Sequence, residues 1–226
     1  MWFSVYQTQD TVAGYTLEQT MSYYLLIPLI GFITRPRVSD RLGGSIKNGK
    51  ISNFLIRPIR INLMQLFYSI GQKLVVLSLI IPIYVMILGT YIIYTQRLML
   101  TANQIFLATI MALAAFFLYF VMDLCIAYLA FWFDEIWSFS HFMYILLAIF
   151  GGILFPLAFV PTDWQKIFNI LPFHYIYSTP INYLVGVKNI TNLTPDLIIY
   201  SIWLLIFITI ASLLWKFGIK KYDAYG

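Results

Sequence analysis

Residues Leu74 to Tyr94 read LVVLSLIIPIYVMILGTYIIY, twenty-one residues without a charge. A helix rises 1.5 Å per residue, so about 20 residues cross the roughly 30 Å hydrocarbon core of a bilayer. The stretch is too long for a buried strand and has no amphipathic period. It predicts a transmembrane helix. Four more stretches read the same way, at about Tyr15–Ile33, Ile105–Phe131, Phe139–Val160 and Leu197–Trp215. Trp132, Trp137 and Trp215 near their ends fit an aromatic interface belt.

Composition agrees. Of 226 residues, 61% are hydrophobic and only 10% charged, against roughly a quarter charged in a soluble domain. Too little polar surface remains to face water on all sides. The expected fold class is all-α, a polytopic membrane protein of about five transmembrane helices in a single domain over residues 1–226. The net charge of +5 does not indicate nucleic acid, because of where the charge lies. Seven of the fourteen Lys and Arg residues fall between Arg35 and Arg60, and three more are Lys216, Lys220 and Lys221. Basic residues gathered between apolar runs mark a cytoplasmic side. The inner loop 35–60 and the C-terminal tail are therefore expected in the cytoplasm of a plasma-membrane protein, with Met1 outside by parity. The single Cys125 excludes a disulfide framework.

Two connecting stretches carry further pattern. In the outer segment 161–193, Trp164, Ile167, Phe168 and Leu171 recur at helical spacing opposite Asp163, Gln165, Lys166 and Asn169. This predicts a short amphipathic helix at the membrane interface, with Thr162 and Gln165 at capping-box spacing and Pro172 limiting its far end. In the inner loop, Gly43, Gly44 and Gly49 exclude one long regular helix, and Ser39 is placed to cap a short one.

Candidate chemistry is sparse. Gly44 to Ile51 nearly spells a phosphate-binding loop, but Ile51 replaces the Mg²⁺-binding hydroxyl and no buried strand precedes it. It reads as a basic loop. Asp123 is the most deeply placed charge in a span; it either lines a translocation path or pairs with Lys73, or else faces a protein–protein contact or reaches the wet inner boundary. His141 and His174 lie apart with no acidic partner at ligand spacing, so no metal site is expected. The sequons at Asn189 and Asn192 read as chance. Gly152, Pro156, Pro161, Pro172 and Pro180 interrupt the end of the fourth span and the segment beyond it. That pattern fits the mouth of a pathway, or a kinked span with an interfacial staple.

Four stretches carry a family resemblance. They are Gly151-Gly-Ile-Leu-Phe-Pro156-Leu-Ala-Phe-Val-Pro161 with Leu171-Pro-Phe173 and Pro180 through Gly186; Ile46-Lys-Asn-Gly49 through Leu55-Ile-Arg57-Pro58-Ile59; Ala130-Phe-Trp132; and the tail Lys216 through Gly226. Together they resemble the ABC-2 class of ABC transporter permeases, and within it the small bacterial ABC-2 family transporters. The resemblance implies a permease subunit of an ATP-driven exporter that pairs with a second permease subunit, homo- or heteromeric, and with cytoplasmic ABC ATPase subunits. It implies that this chain is not itself an enzyme and holds no cofactor, ATP and Mg²⁺ being bound by the partner.

On that reading Arg37, Arg41, Ile46, Gly49, Lys50 and Arg57 couple to the ATPase. Phe155, Pro156, Pro161, Trp164, Phe168 and Phe173 form the outer gate of the path. Family members have six spans, so a first span preceding Trp2 is expected beyond this sequence. A secondary transporter or channel without an ATPase is the alternative; it would usually show internal repeats or more intramembrane charge. A membrane enzyme would gather catalytic residues near one leaflet.

Overall fold

A computed structural model describes residues 6–7, 9–52, 60–95 and 100–222. Its first element is a small hairpin, β1 (Thr11–Val12) paired antiparallel with β2 (Tyr15–Thr16). Ala13 and Gly14 between them both have positive φ, as the tight two-residue turn of a hairpin requires. Thr16 then caps α1 (Leu17–Thr34): its hydroxyl accepts the Gln19 N–H, and the Gln19 side chain accepts the Thr16 N–H. Beyond α1 come a π-helical turn (Ser39–Gly43) and the one-turn α2 (Gly44–Lys47). The long helices α3 (Ile61–Thr95) and α4 (Ala102–Leu129) come after them. Next are α5 (Trp137–Phe150), α6 (Thr162–Ile170), α7 (Ser178–Leu184) and finally α8 (Ile190–Lys221).

The chain is an all-α membrane protein. Helices α3, α4 and α8 are long and apolar enough to cross a membrane. In α1 the first turn is polar, with Glu18, Gln19 and Thr20, and the rest is apolar. The organising element is α4. In its apolar window 61% of residues are buried, against 11% for α8 and none for α3. Ala108, Ala112 and Ala115 are buried along it and let neighbouring backbones approach closely. Helices α1, α7 and α8 pack on α4. Three clusters share its length. Tyr23, Leu26, Tyr119 and Ile176 lie in one, Val38, Leu42, Leu124 and Tyr128 in a second, and Leu107, Met111 and Tyr183 in a smaller third.

The structure departs from the sequence reading in three places. The fourth expected span, Phe139–Val160, is not one helix: α5 ends at Phe150, and its 14 residues reach only about 21 Å. Gly152 sits at φ +87°, and its carbonyl accepts the Tyr23 hydroxyl at 2.8 Å. The Gly151 carbonyl accepts the Ser178 N–H at 3.0 Å. The break is thus clasped by α1 and α7 together. Second, α3 starts at Ile61 rather than near Leu74. A hydropathy pattern marks the membrane-crossing part of a helix and is blind to its extension beyond the bilayer. Third, Pro161 and not Thr162 precedes α6, and no side chain caps it. Gln165 instead reaches back to the carbonyls of Ala158 and Val160, at 2.9 and 2.6 Å.

An alanine Cβ at position 152 would meet the Tyr23 hydroxyl at 2.4 Å in a backbone conformation that L-residues avoid. Gly152→Ala is expected to destabilise the detergent-solubilised protein by about 1–3 kcal/mol in an SDS titration. Gly89, inside α3 with nothing within 4 Å of its added Cβ, is the control. There Gly→Ala is expected to be neutral or to stabilise by up to about 1 kcal/mol.

Candidate functional site

After α1, Pro36 cannot continue the helix, and Arg37 takes a left-handed backbone, φ +55°. These two residues turn the chain into an elbow formed by the π-helical turn and α2. Four other parts of the chain hold that elbow. From α4, Asp123 Oδ2 accepts the backbone N–H of Val38 and that of Ser39, the latter at 3.1 Å. From α5, the Ser140 hydroxyl donates to Ser39 Oγ at 3.2 Å. From α3, Ser69 and Gln72 accept the two ends of the Arg41 guanidinium at 3.0 and 3.2 Å. The same guanidinium lies 3.9 Å from the centre of the Tyr68 ring. After α8, the Tyr222 hydroxyl donates to the Gly49 carbonyl at 2.6 Å. Gly43 closes the contact: a Cβ there would stand 2.0 Å from Ile136 in the link between α4 and α5.

The elbow has two faces. Val38, Leu42, Ile46 and Ile51 are buried against Leu124, Tyr128 and Phe131. Asp40, Lys47, Asn48, Lys50 and Ser52 are exposed. Among the expected coupling residues, Lys50 is therefore on the open face, while Ile46 and Arg41 bind the elbow to the spans. Gly49 forms the turn at φ +68°, and Arg37 lines a cavity between α1 and α3. Arg57 lies outside the described residues, as do Leu55, Pro58 and Ile59 of the same block. Ser39 does not cap α2. Its own N–H is the group being capped, by an acid from another helix.

That arrangement bears on one reading of Asp123, the pairing with Lys73. The carboxylate does not pair with Lys73, whose ammonium donates to the Phe32 carbonyl in the last turn of α1. One orphan carbonyl of that helix end is satisfied by a cation supplied from α3. Asp123 instead accepts the elbow's leading N–H groups within the same chain.

At the far end of α4 from the elbow, the broken segment forms a cap. Phe168 is buried, with its ring edge-on to Phe150 at 4.9 Å; Phe173 lies 6.1 Å from the same ring. Trp164 and Ile167 are more than half exposed. Phe155 is half-buried in the turn before Pro156, Pro156 is buried, and Pro161 is exposed. The α6 face anticipated from spacing is thus split: Phe168 anchors it and Trp164 stays at the surface.

Several site residues were missed from sequence. Tyr15 donates to Asn182 at 2.6 Å, and Lys188 pairs with Asp196 at 2.8 Å beneath the cap. Asn189, read only as a sequon, caps α8 by accepting the Thr191 N–H and hydroxyl. His174 is buried with its Nδ1 unpartnered. Burial first, and the Lys188 ammonium second, push its pKa down to about 3, so it packs as a neutral ring.

Elbow and cap belong to a chain with a recognisable family. A family model described as ABC-2 family transporter protein matches residues 1–226. The chain belongs to that family. As an ABC-2 family member it is a multi-pass membrane protein and the permease component of an ABC transporter. No curated protein and no solved structure matches it.

Removing the Asp123 carboxyl would orphan two buried N–H groups of the permease, each at about 1–3 kcal/mol. Asp123→Ala is expected to lose about 2–4 kcal/mol of stability, whereas Asp123→Asn, which keeps an acceptor oxygen, loses less than half of that. Equal losses in chemical-denaturant titrations would mean that the charge, and not the capping geometry, matters.

Proposed function

We propose that this permease is the transmembrane subunit of an ATP-driven exporter, and that the elbow seats a separate cytoplasmic ABC ATPase. The observation that carries the reading is the elbow's two-sidedness. One face is held by hydrogen bonds from α3, α4, α5 and the end of α8. The other presents Lys47, Asn48 and Lys50, and Lys47 lines a groove of about 260 Å³ with Asp134, Lys221 and Tyr222. A partner pushing on that face would move α3, α4 and α5 as a unit. The partner binds ATP and Mg²⁺ and hydrolyses the nucleotide; this chain supplies the path. The basic count favours a cytoplasmic elbow and C-terminus.

A second permease subunit, the same chain or a sibling, completes the path. The apolar stretch of α3 has no fully buried residue, which leaves much of that span to meet it or lipid. On the opposite side, the Phe150–Phe168–Phe173 cluster under α6 forms the outer gate, with Phe155, Pro156, Pro161 and Trp164 around it. Opening needs those rings to part, and the broken backbone at Gly151–Gly152 permits it without unwinding a helix.

Two variants test the reading. Reversing charge on the open face, Lys47→Glu with Lys50→Glu, is expected to cut ATPase co-purification at least tenfold at unchanged permease abundance. Ile46→Ala, on the buried face, is expected to lower stability by about 2–4 kcal/mol. Retention of the ATPase by the double charge variant would remove the elbow as the seat. Phe168→Glu is expected to depress export more than abundance; a parallel fall of both would reduce the cap to a structural anchor.

A further inference from the structure

Between α1 and α3 lies a cavity of about 330 Å³, within the usual size range of small-molecule sites. Arg35, Arg37 and Lys73 line it together with Gln72, and no acidic side chain does among the described residues. These cations come from two parts of the chain and converge on one concavity, although Arg35 and Arg37 also line a small neighbouring cavity with Asp40 and Asp123. Lys73 donates one hydrogen to the Phe32 carbonyl and has two more to give. Arg35 lies 6.0 Å from the Tyr144 ring centre. Arg37 is held in a left-handed backbone that residues other than glycine avoid, and such outliers gather at ligand clamps. The strain is enforced next door, where Asp123 grips Val38 and Ser39.

Depth identifies what would fill the cavity. Arg35 directly succeeds the last residue of α1, and Lys73 directly precedes the uncharged run Leu74–Tyr94. Both therefore mark headgroup level at the elbow end of the spans. Pro28 and Phe32 line the cavity from α1, and Val76 lines it from α3. In the two antiparallel helices these positions lie deeper than the cations. The cavity is cationic at headgroup depth and apolar beneath.

We propose that it binds the phosphate of an anionic amphiphile, the headgroup held by Arg35, Arg37 and Lys73 and the chain laid along Phe32 and Val76. Basic pockets between transmembrane helices take lipid phosphates in this way. The site stands apart from the ATPase seat, and its occupancy requires no nucleotide.

The test uses the full chain purified in a neutral maltoside and mixed with equal mole fractions of phosphatidylglycerol and phosphatidylcholine. Retained lipid is read by native mass spectrometry, with inorganic phosphate added in a parallel arm. Wild type is expected to keep phosphatidylglycerol over phosphatidylcholine, and inorganic phosphate is expected not to displace it. Arg37→Gly, which relieves the backbone, and Lys73→Gln should each weaken phosphatidylglycerol retention about fivefold, the worth of one surface cation, and leave phosphatidylcholine unchanged. Should Lys73→Gln fail to fold for want of its cap on α1, Arg37→Gly alone decides. Displacement by inorganic phosphate would support the anion site and overturn its lipid source. Equal retention of the two lipids, or wild-type retention in Arg37→Gly, would overturn the proposal.

Discussion

One carboxylate oxygen, Asp123 Oδ2, holds the N–H groups of Val38 and Ser39, and much of the permease is arranged around that grip. An acid at the centre of a span costs about 2.5–3.5 kcal/mol to insert, less near an end. Two buried hydrogen bonds worth about 1–3 kcal/mol each are of the same size. The acid is thus tolerated where it stands, and only because the elbow brings two donors to it. The elbow in turn has nothing of its own to satisfy those N–H groups: no side chain caps its leading turn. Each partner removes the other's penalty, which ties a connecting segment to the most buried of the three long spans.

A mechanical picture comes out of that tie. Helix α4 contributes to both of the larger hydrophobic clusters, with the elbow packed on one and the cap-side turn on the other. Side chains Leu204 and Phe207 of α8 pack against both clusters. Displacement of the elbow is carried along α4 as a body, because close-packed interiors transmit strain instead of absorbing it. Compliance lies at the other end. The segment from Gly151 through Tyr177 is made of short pieces joined by turns, clasped to α1 and α7 through Gly152 and Ser178. A stiff lever ending in a jointed cap fits the proposal that an ATPase seated at the elbow drives opening.

Most of this architecture was legible in the sequence through its apolar runs, since lipid imposes length and uncharged composition directly. What escaped lies where polar groups meet across sequence distance. The Asp123 grip joins positions 84 and 85 residues apart, and no local period reports it. The extension of α3 was readable in part: Ile61, Gln65 and Ser69, four apart, are its buried stripe. A helical period in a half-polar stretch was the available signal, and hydropathy alone hides it. Capping boxes at Thr16 and Thr101 also carry the plain signature Thr-x-x-Gln, whereas Thr162–Gln165 shares that spacing and does not form one. Pro161 already occupies the cap position there, so spacing without the right flanking backbone misled. The break at Gly151–Gly152 was announced by composition, yet its shape depends on Tyr23 and Ser178, which no proximity in sequence links to it.

Native-state amide hydrogen exchange on the wild-type permease probes the grip most directly. If Asp123 anchors the elbow to α4, the amides of Val38 and Ser39 exchange as slowly as those in the middle of α4, and far more slowly than Lys50 and Ser52 on the open side. Exchange of Val38 and Ser39 at the rate of Lys50 and Ser52 would contradict the account, because the elbow would then move independently of the spans it is held to drive.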